Sequence, residues 1–409
     1  MIKRTLITWA LNKDFLHRKM SFIAGPRQIG KTTTVRNFLE DINQGKNYFN
    51  WDSIALKQKF AKNPLFFKED MPPPSKKKRI WIAFDEIHKY PGWKNLLKGY
   101  FDEYKDEIQF VITGSAKLDL FRRSGDSLVG RYFLYKMFPL GPKDILSRRY
   151  DFSKQWNPRL ELKSIPTFKK EFHEAITSLL NTSGFPEPFL DGTRDFYQRW
   201  KDTHVSLLIN EDLRDLTQIT QIKKLETLIF LLPERVGSPL SLNSLRNILE
   251  CSYGSVKSWL DAFEKVFLVF SLTPFSRKIS RSILKERKYY FLDWGLLDDT
   301  GQRFENFVAV QLLRAISTWN EWGKGKYALH YIRTKDGLEV DFAVTENNKV
   351  MLLVEAKTSD IEPGKAFKKI MAESGHPISF QVINKKGYYK RTESDILVIG
   401  IDLFLQILP

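Results

Sequence analysis

Ser21-Phe-Ile-Ala-Gly25-Pro-Arg-Gln-Ile-Gly30-Lys31-Thr32-Thr33 reads as a short apolar strand, a loop bounded by glycines and the opening of a helix. Gly25, Pro26, Arg27, Gln28, Ile29, Gly30, Lys31 and Thr32 fit the pattern glycine, four residues, glycine, lysine, Ser/Thr, and Thr33 continues it into the helix. The spacing has a chemical reason. Two glycines let the loop tighten until its backbone N–H groups point inward at phosphates. Lys31 is expected to reach the β- and γ-phosphates as a point charge, and Thr32 to set its hydroxyl on Mg²⁺. The helical stretch from Thr32 to Glu40 aims its positive end at the same anion. The alternative, a chance match in a loop, is countered by a strand and a helix flanking it on the correct sides. The expected ligand is ATP with Mg²⁺, bound by Gly25 through Thr33.

Outward from this loop, Ile80-Trp-Ile-Ala-Phe84-Asp85-Glu86 is an apolar strand ending in two acids. Asp85 is expected to hold the magnesium through water, and Glu86 to polarise an attacking water. An acid pair that merely caps the next helix is the alternative. Phe110–Thr113 is a further strand. Ser115 just beyond it is the candidate sensor of the γ-phosphate, preferred over Thr113. Arg131 precedes the strand Tyr132–Phe138 and is a candidate for neutralising transition-state charge, in cis or from a neighbouring subunit; the alternative is a surface arginine. With Tyr48–Asp52, these strands separated by helices predict a parallel sheet covered on both faces.

The 409 residues suggest two or three domains. Hydrophobic residues make up 42%, which excludes a disordered chain, and the formal charge of +17 favours a polyanionic partner such as nucleic acid or an anionic surface. One cysteine, Cys251, excludes an internal disulfide and fits a reducing compartment, so a cytoplasmic location is expected. No apolar run reaches the roughly 18 residues of a membrane helix, and no membrane partner is expected. Ser75-Lys-Lys-Lys-Arg79 lies in a loop that reads best as a solvated connector.

The expected organisation is a nucleotide domain over 1–149, a helical region over 150–233, a winged helix-turn-helix over 234–287 and a third α/β unit over 288–409. Phe168–Leu180 and Phe196–Leu216 carry helical patterns. Ser241–Leu249, a turn at Cys251-Ser-Tyr-Gly254, the helix Ser255–Phe263 and strands at Val266–Leu272 and Tyr289–Leu292 outline the winged helix. Arg277, Lys278, Arg281, Lys285, Arg287 and Lys288 crowd its hairpin connection, where they suit either a grip on phosphates or mere solubility.

Gly25–Thr33, Phe84-Asp-Glu-Ile-His88, Thr113-Gly-Ser115, Gly130-Arg131, Phe138-Pro-Leu140, Gly184-Phe-Pro-Glu187, Tyr290-Phe-Leu-Asp-Trp-Gly295 and Phe304-Glu-Asn-Phe-Val308, in that order, resemble a large prokaryotic family of AAA+ ATPases. The resemblance spans nearly the whole chain. It implies an α/β architecture: an additional-strand P-loop core, a helical and winged-helix middle, and a C-terminal α/β domain like restriction endonucleases, of the PD-(D/E)xK type. It implies no agreed biological role. His88 stands where relatives often carry glutamine.

A second candidate site lies in Gly337-Leu-Glu339-Val-Asp341 and Met351-Leu-Leu-Val-Glu355-Ala-Lys357, which resemble the nuclease-fold signature. Residues two apart on a strand share a face, so Glu355 and Lys357 point into one site. Asp341 and Glu355 would bind Mg²⁺ or Mn²⁺ beside a scissile phosphate, and Lys357 would position the attacking water. Glu305 falls where related folds often add a further acid. A same-face ion pair with Asp341 as a turn residue is the alternative.

Three functions compete. The first is an ATPase acting on nucleic acid, with DNA favoured, possible self-association, and possible metal-dependent cleavage. The second is an ATP-driven switch whose nuclease-like domain only binds. The third, a P-loop kinase, is disfavoured by Asp85-Glu86, since a water-activating glutamate suits hydrolysis.

Overall fold

The computed structural model describes residues 2–69, 79–114, 128–147, 157–213, 221–276 and 286–409. The lysines of the 75–79 connector lie outside the described residues. The chain divides into two compact units: one runs to Phe138 and includes Ser147, and the other takes Pro139–Leu146 and everything from Asn157 on.

The first unit is built on five strands, β1 (Met20–Ala24), β2 (Tyr48–Asn50), β3 (Ile80–Asp85), β4 (Ile108–Gly114) and β5 (Tyr132–Lys136). Every pairing is parallel and the order is β2-β3-β4-β1-β5. β1, β3 and β4 are buried along their whole length, as expected where helices cover both faces of a parallel sheet. β4 separates β1 from β3, which is the additional-strand arrangement the resemblance implies. Helices α1 (Lys31–Asp41), α2 (Ile54–Lys62) and α3 (Trp93–Tyr104) form where apolar residues recur at helical spacing: Val35 and Leu39 on α1, Leu97, Tyr100, Phe101 and Tyr104 on α3. The core is aromatic. Phe84 lies within 6.4 Å, centroid to centroid, of Phe49, Trp51, Phe66, Phe67, Tyr100 and Phe110. Each fully buried ring of this kind contributes about 1.5–3 kcal/mol.

The longer helices in the first part of the second unit are α4 (Lys170–Asn181), α5 (Arg194–Leu207) and α6 (Ile222–Leu231). α5 stops short of the expected Leu216, giving way to a π-helical turn over Leu208–Leu213. Next come β6 (Pro239–Leu240), α7 (Leu242–Ile248), α8 (Tyr253–Lys265), β7 (Val269–Pro274) and β8 (Arg287–Phe291). This is the helix, turn, helix, hairpin outline expected, with one change. Ser252 caps α8 by accepting from the Ser255 N–H, so Tyr253 and Gly254, read as turn, form its first turn.

α9 (Thr300–Glu321) starts at the Asp299 cap, which accepts from Gln302 N–H at 2.8 Å, and runs 22 residues. β9 (Tyr327–Arg333), β10 (Glu339–Glu346), β11 (Lys349–Lys357), α10 (Lys365–Glu373), β12 (Ile378–Ile383), β13 (Tyr389–Arg391), β14 (Leu397–Gly400) and α11 (Ile401–Ile407) complete it. The hairpin β7–β8 joins these strands in one sheet ordered β13-β14-β12-β11-β10-β9-β7-β8-β6, through a two-residue parallel pairing of β7 with β9.

Candidate functional site

Residues Gly25–Gly30 link the C-terminal edge of β1 to α1. Gly30 caps α1 with φ +94°, which favours glycine, and Gln28 is also left-handed at φ +57°. α1 opens without a side-chain cap and without an acid in its first turn. No side-chain cap or acid therefore competes with an anion for the positive end of the helix. Gly25 is dictated by space: a Cβ there would sit 2.5 Å from the Met137 carbonyl oxygen at the end of β5. The Lys31 ammonium is buried and donates to the carbonyls of Gly25 (3.0 Å) and Pro26 (2.6 Å), so it curls over the loop where phosphates are expected.

Asp85 ends β3 beneath this loop, 3% exposed. Its Oδ2 accepts from the Thr32 hydroxyl at 2.7 Å and from the Tyr48 hydroxyl, and its Oδ1 accepts from the Thr113 hydroxyl. Elements far apart in sequence thus converge on one carboxylate. Since Thr32 gives its proton to Asp85, its oxygen lone pairs remain for a cation. A hydroxyl oxygen and a carboxylate are the hard donors that suit Mg²⁺, so the residues present fit that ion. Among the described residues no group of three His, Cys, Asp or Glu is arranged to hold a metal. Such a site therefore depends on phosphate oxygens and water for its remaining ligands, which is how Mg²⁺ is usually held.

Glu86 has left-handed backbone (φ +56°), a conformation costing about 1–3 kcal/mol that recurs at functional sites. Its N–H donates to the Thr113 carbonyl at 3.0 Å. Burial, then the adjacent negative Asp85, pushes its carboxyl above the usual glutamate range, against the pull of Lys89 and Lys31. His88 Nε2 and Lys89 Nζ stand 3.5 and 3.7 Å from it. A raised pKa suits a group that takes a proton from water.

Ser115 lies outside the described residues. Arg131 is placed differently from an arginine acting in cis. It immediately precedes β5, whose Tyr132 pairs with Met20 at the start of β1. The loop follows the other end of β1, five residues or about 16 Å away. There Arg131 makes a bidentate pair with Asp102, both contacts at 2.8 Å. Even an arginine side chain does not reach across that length while paired with Asp102, so the cis reading is corrected.

The second candidate site forms in the C-terminal sheet. The β10–β11 pairing starts with Phe342 opposite Val354, and just beyond it the Asp341 N–H donates to Glu355 Oε2 at 3.4 Å. Asp341 accepts from the Ala356 N–H at 2.9 Å, and Lys357 Nζ pairs with Glu355 at 2.9 Å. A register shift on the β9 side falls between Val340 and Ala343, the stretch that contains Asp341. Burial first, then mutual repulsion, raises Glu355 above its ordinary range. Burial raises Asp341 also, with Lys288 and Lys357 opposing. Burial would lower Lys357, but Glu355 and Asp341 outweigh it. Glu305 of α9 is raised by burial and by Asp341, and accepts from the Tyr290 hydroxyl at 2.9 Å.

Sequence reasoning misses two residues here, Tyr290 and Lys288. It groups Lys288 with the basic hairpin, and the structure corrects that. Lys288 is fully buried, pairs with Glu339 and lies 5.2 Å from the Tyr331 ring centre. Its place on β8, two residues before Tyr290, is the available signal. Arg287 lies beside Glu264 at 3.9 Å. Arg277, Lys278, Arg281 and Lys285 lie outside the described residues.

Residues 17–146 match the family model described as an AAA domain. The N-terminal unit contains a P-loop domain of the AAA type. Residues 173–302 and 300–404 match two models, each described only as a domain of unknown function. Among relatives, an uncharacterized protein of Mycobacterium tuberculosis is 24% identical over 345 residues, covering 80% of this chain and 68% of that one. An uncharacterized protein of Methanocaldococcus jannaschii is 22% identical over 392 residues, covering 88% of this chain and 80% of that one. Among the solved structures that match the chain are two of low similarity. The Aeropyrum pernix ORC1 protein in complex with DNA has 13% identity and a TM-score of 0.32, covering 69% of this chain and 92% of that one. PCH-2 of C. elegans has 15% identity and a TM-score of 0.23, covering 63% of this chain and 70% of that one. Scores this low carry no weight for fold or function. No helix among the described residues is long and apolar enough to cross a membrane.

Proposed function

We propose that the AAA domain binds ATP with Mg²⁺ and hydrolyses it. The carrying observation is the convergence of Thr32, Asp85 and Thr113 from the loop and two strands, with the raised carboxyl of Glu86 next in the chain. Gly25 through Thr33 hold the phosphates. Lys31 exchanges its two carbonyl partners for phosphate oxygens, Thr32 and Asp85 hold the magnesium, and Glu86 accepts a proton from the attacking water. Magnesium, when bound, supplies neutralisation of charge on the β- and γ-phosphate oxygens. Ser115 is retained as the γ-phosphate sensor. Arg131, at the end of the sheet away from the loop and paired with Asp102, has two readings, service to a neighbouring copy or a surface ion pair, and a specific ATPase rate that rises with protein concentration supports the first. The test is ATP binding and turnover in Lys31→Ala, which loses both, and Glu86→Gln, which binds and does not turn over. Normal turnover in Glu86→Gln removes Glu86 from its role.

The second part of the proposal is that the protein acts on nucleic acid, DNA in preference. It rests on the surplus of 17 positive charges and on Asp341, Glu355 and Lys357 meeting across one hairpin with Glu305 near them. The arrangement supports a C-terminal domain of the restriction-endonuclease type that cleaves with Mg²⁺ or Mn²⁺ held by Asp341 and Glu355. Its competitor is an ATP-driven switch in which this domain only binds. Metal-dependent cleavage that is lost in Lys357→Ala supports the first, and absence of cleavage under all metal and ATP conditions supports the second.

A further inference from the structure

Asp85 accepts from three hydroxyls. Thr32 and Thr113 belong to motifs legible in the sequence. The third donor, Tyr48, belongs to none, and its only sequence distinction is to begin a three-residue strand. β2 is the edge strand next to β3, in register with Tyr48 opposite Ala83 and Asn50 opposite Asp85. The Trp51 N–H donates to the Asp85 carbonyl at 2.9 Å, so the end of β2 is tied to the backbone of the residue its first side chain reaches. The Tyr48 ring is held from its other side by Arg36, whose guanidinium carbon lies 4.4 Å from the ring centre. Arg36 is four residues after Thr32 on α1, hence on the same helix face. Loop, helix, edge strand and acid strand are joined around Asp85 by one ring.

A carboxylate offers about four lone-pair positions. Thr32 and Tyr48 occupy the two on Oδ2, and Thr113 occupies one on Oδ1. One position remains, and its direction is set because the other three forbid the carboxylate to rotate. We propose that Tyr48 is a positioning residue for the nucleotide site: its hydroxyl locks the plane of Asp85 so that the single remaining acceptor faces the water shell of the magnesium that accompanies ATP. Tyr48 touches neither nucleotide nor metal in this role. The inference rests on the nucleotide reading above and adds a residue that reading does not contain.

The experiment measures binding of a fluorescent ATP analogue to the full chain, once with excess EDTA and once as a titration with Mg²⁺. Tyr48→Phe keeps the ring and its stack and removes only the hydroxyl. The Mg²⁺ midpoint is expected to rise roughly three- to tenfold, the worth of one net hydrogen bond, while affinity in EDTA stays unchanged. Arg36→Ala, which frees the ring without touching the hydroxyl, shifts the midpoint in the same direction by less, and serves if Tyr48→Phe does not fold. An unchanged midpoint in a chain that otherwise binds normally overturns the proposal alone. Equal losses in Mg²⁺ and EDTA overturn it too, since they mark a merely structural tyrosine. Absence of nucleotide binding by the unaltered chain, or binding that survives Lys31→Ala, overturns the nucleotide reading and this proposal with it.

Discussion

Gly25 and Asp293 show how far single residues are constrained. Alanine at Gly25 brings its Cβ to 2.5 Å from the Met137 carbonyl, which is backbone and cannot turn away. Gly25→Ala is therefore expected to destabilise the first unit by about 1–3 kcal/mol and to abolish ATP binding, by urea unfolding and ligand titration respectively. Unaltered binding would show that β5 gives way. Asp293 is buried and accepts from the Ser183 hydroxyl (2.8 Å), the Tyr197 hydroxyl (3.0 Å) and the Gly295 N–H (3.0 Å). Burial pushes its carboxyl up from 3.8 to about 6 against those bonds. The folded chain thus binds the proton more tightly than the unfolded one, and stability from this group falls as pH rises from about 4 to about 6. Asp293→Asn should remove that fall, so that stability declines less, or rises more, with pH in that window, whatever it does to the absolute level. An unchanged slope would contradict the assigned shift. The loop itself was legible because its chemistry is local. Tyr48 was not, because its partner lies 37 positions away on a neighbouring strand.

Strand β8 shows what a segment gains from its neighbours. Its Arg287 and Lys288 look like the end of a solvent-facing basic hairpin, yet Lys288 is buried against Glu339. The two partners are unequal, since Glu339 reaches solvent and lies 3.7 Å from Arg333. Lys288→Met leaves Glu339 with Arg333 but also removes the positive charge that opposes the raised carboxyls of Asp341 and Glu305, and is expected to cost about 3–5 kcal/mol. Glu339→Leu leaves the ammonium near those two acids and should cost less. Urea unfolding of both variants checks the order, and the reverse order would contradict the account. Helix α8 was legible in outline because apolar residues repeat at helical spacing along it. Strands β9, β12 and β13 were not. The exposure of β9 alternates irregularly, and its link to β7 is two residue pairs between positions 57 apart. Hairpin and C-terminal strands therefore read as separate units although they share a sheet.

At the scale of the whole molecule, composition narrows function without naming it. A charge of +17 favours a polyanion, and the role proposed above for Asp341, Glu355 and Lys357 would make that polyanion nucleic acid. If so, DNA affinity should fall steeply between about 50 and 200 mM salt, as phosphate contacts release counterions. Salt-independent binding, or none, would move the charge to another role. The AAA domain is the part on which sequence, sheet order and family match agree, and ATP turnover is the central claim built on it. The most direct test is steady-state ATP hydrolysis by the full chain, beside Glu86→Gln and Lys31→Ala, with ATP binding measured on all three. The account predicts binding and turnover in the unaltered chain, binding without turnover in Glu86→Gln, and neither in Lys31→Ala. Turnover that persists in Glu86→Gln, or binding that persists in Lys31→Ala, would contradict it.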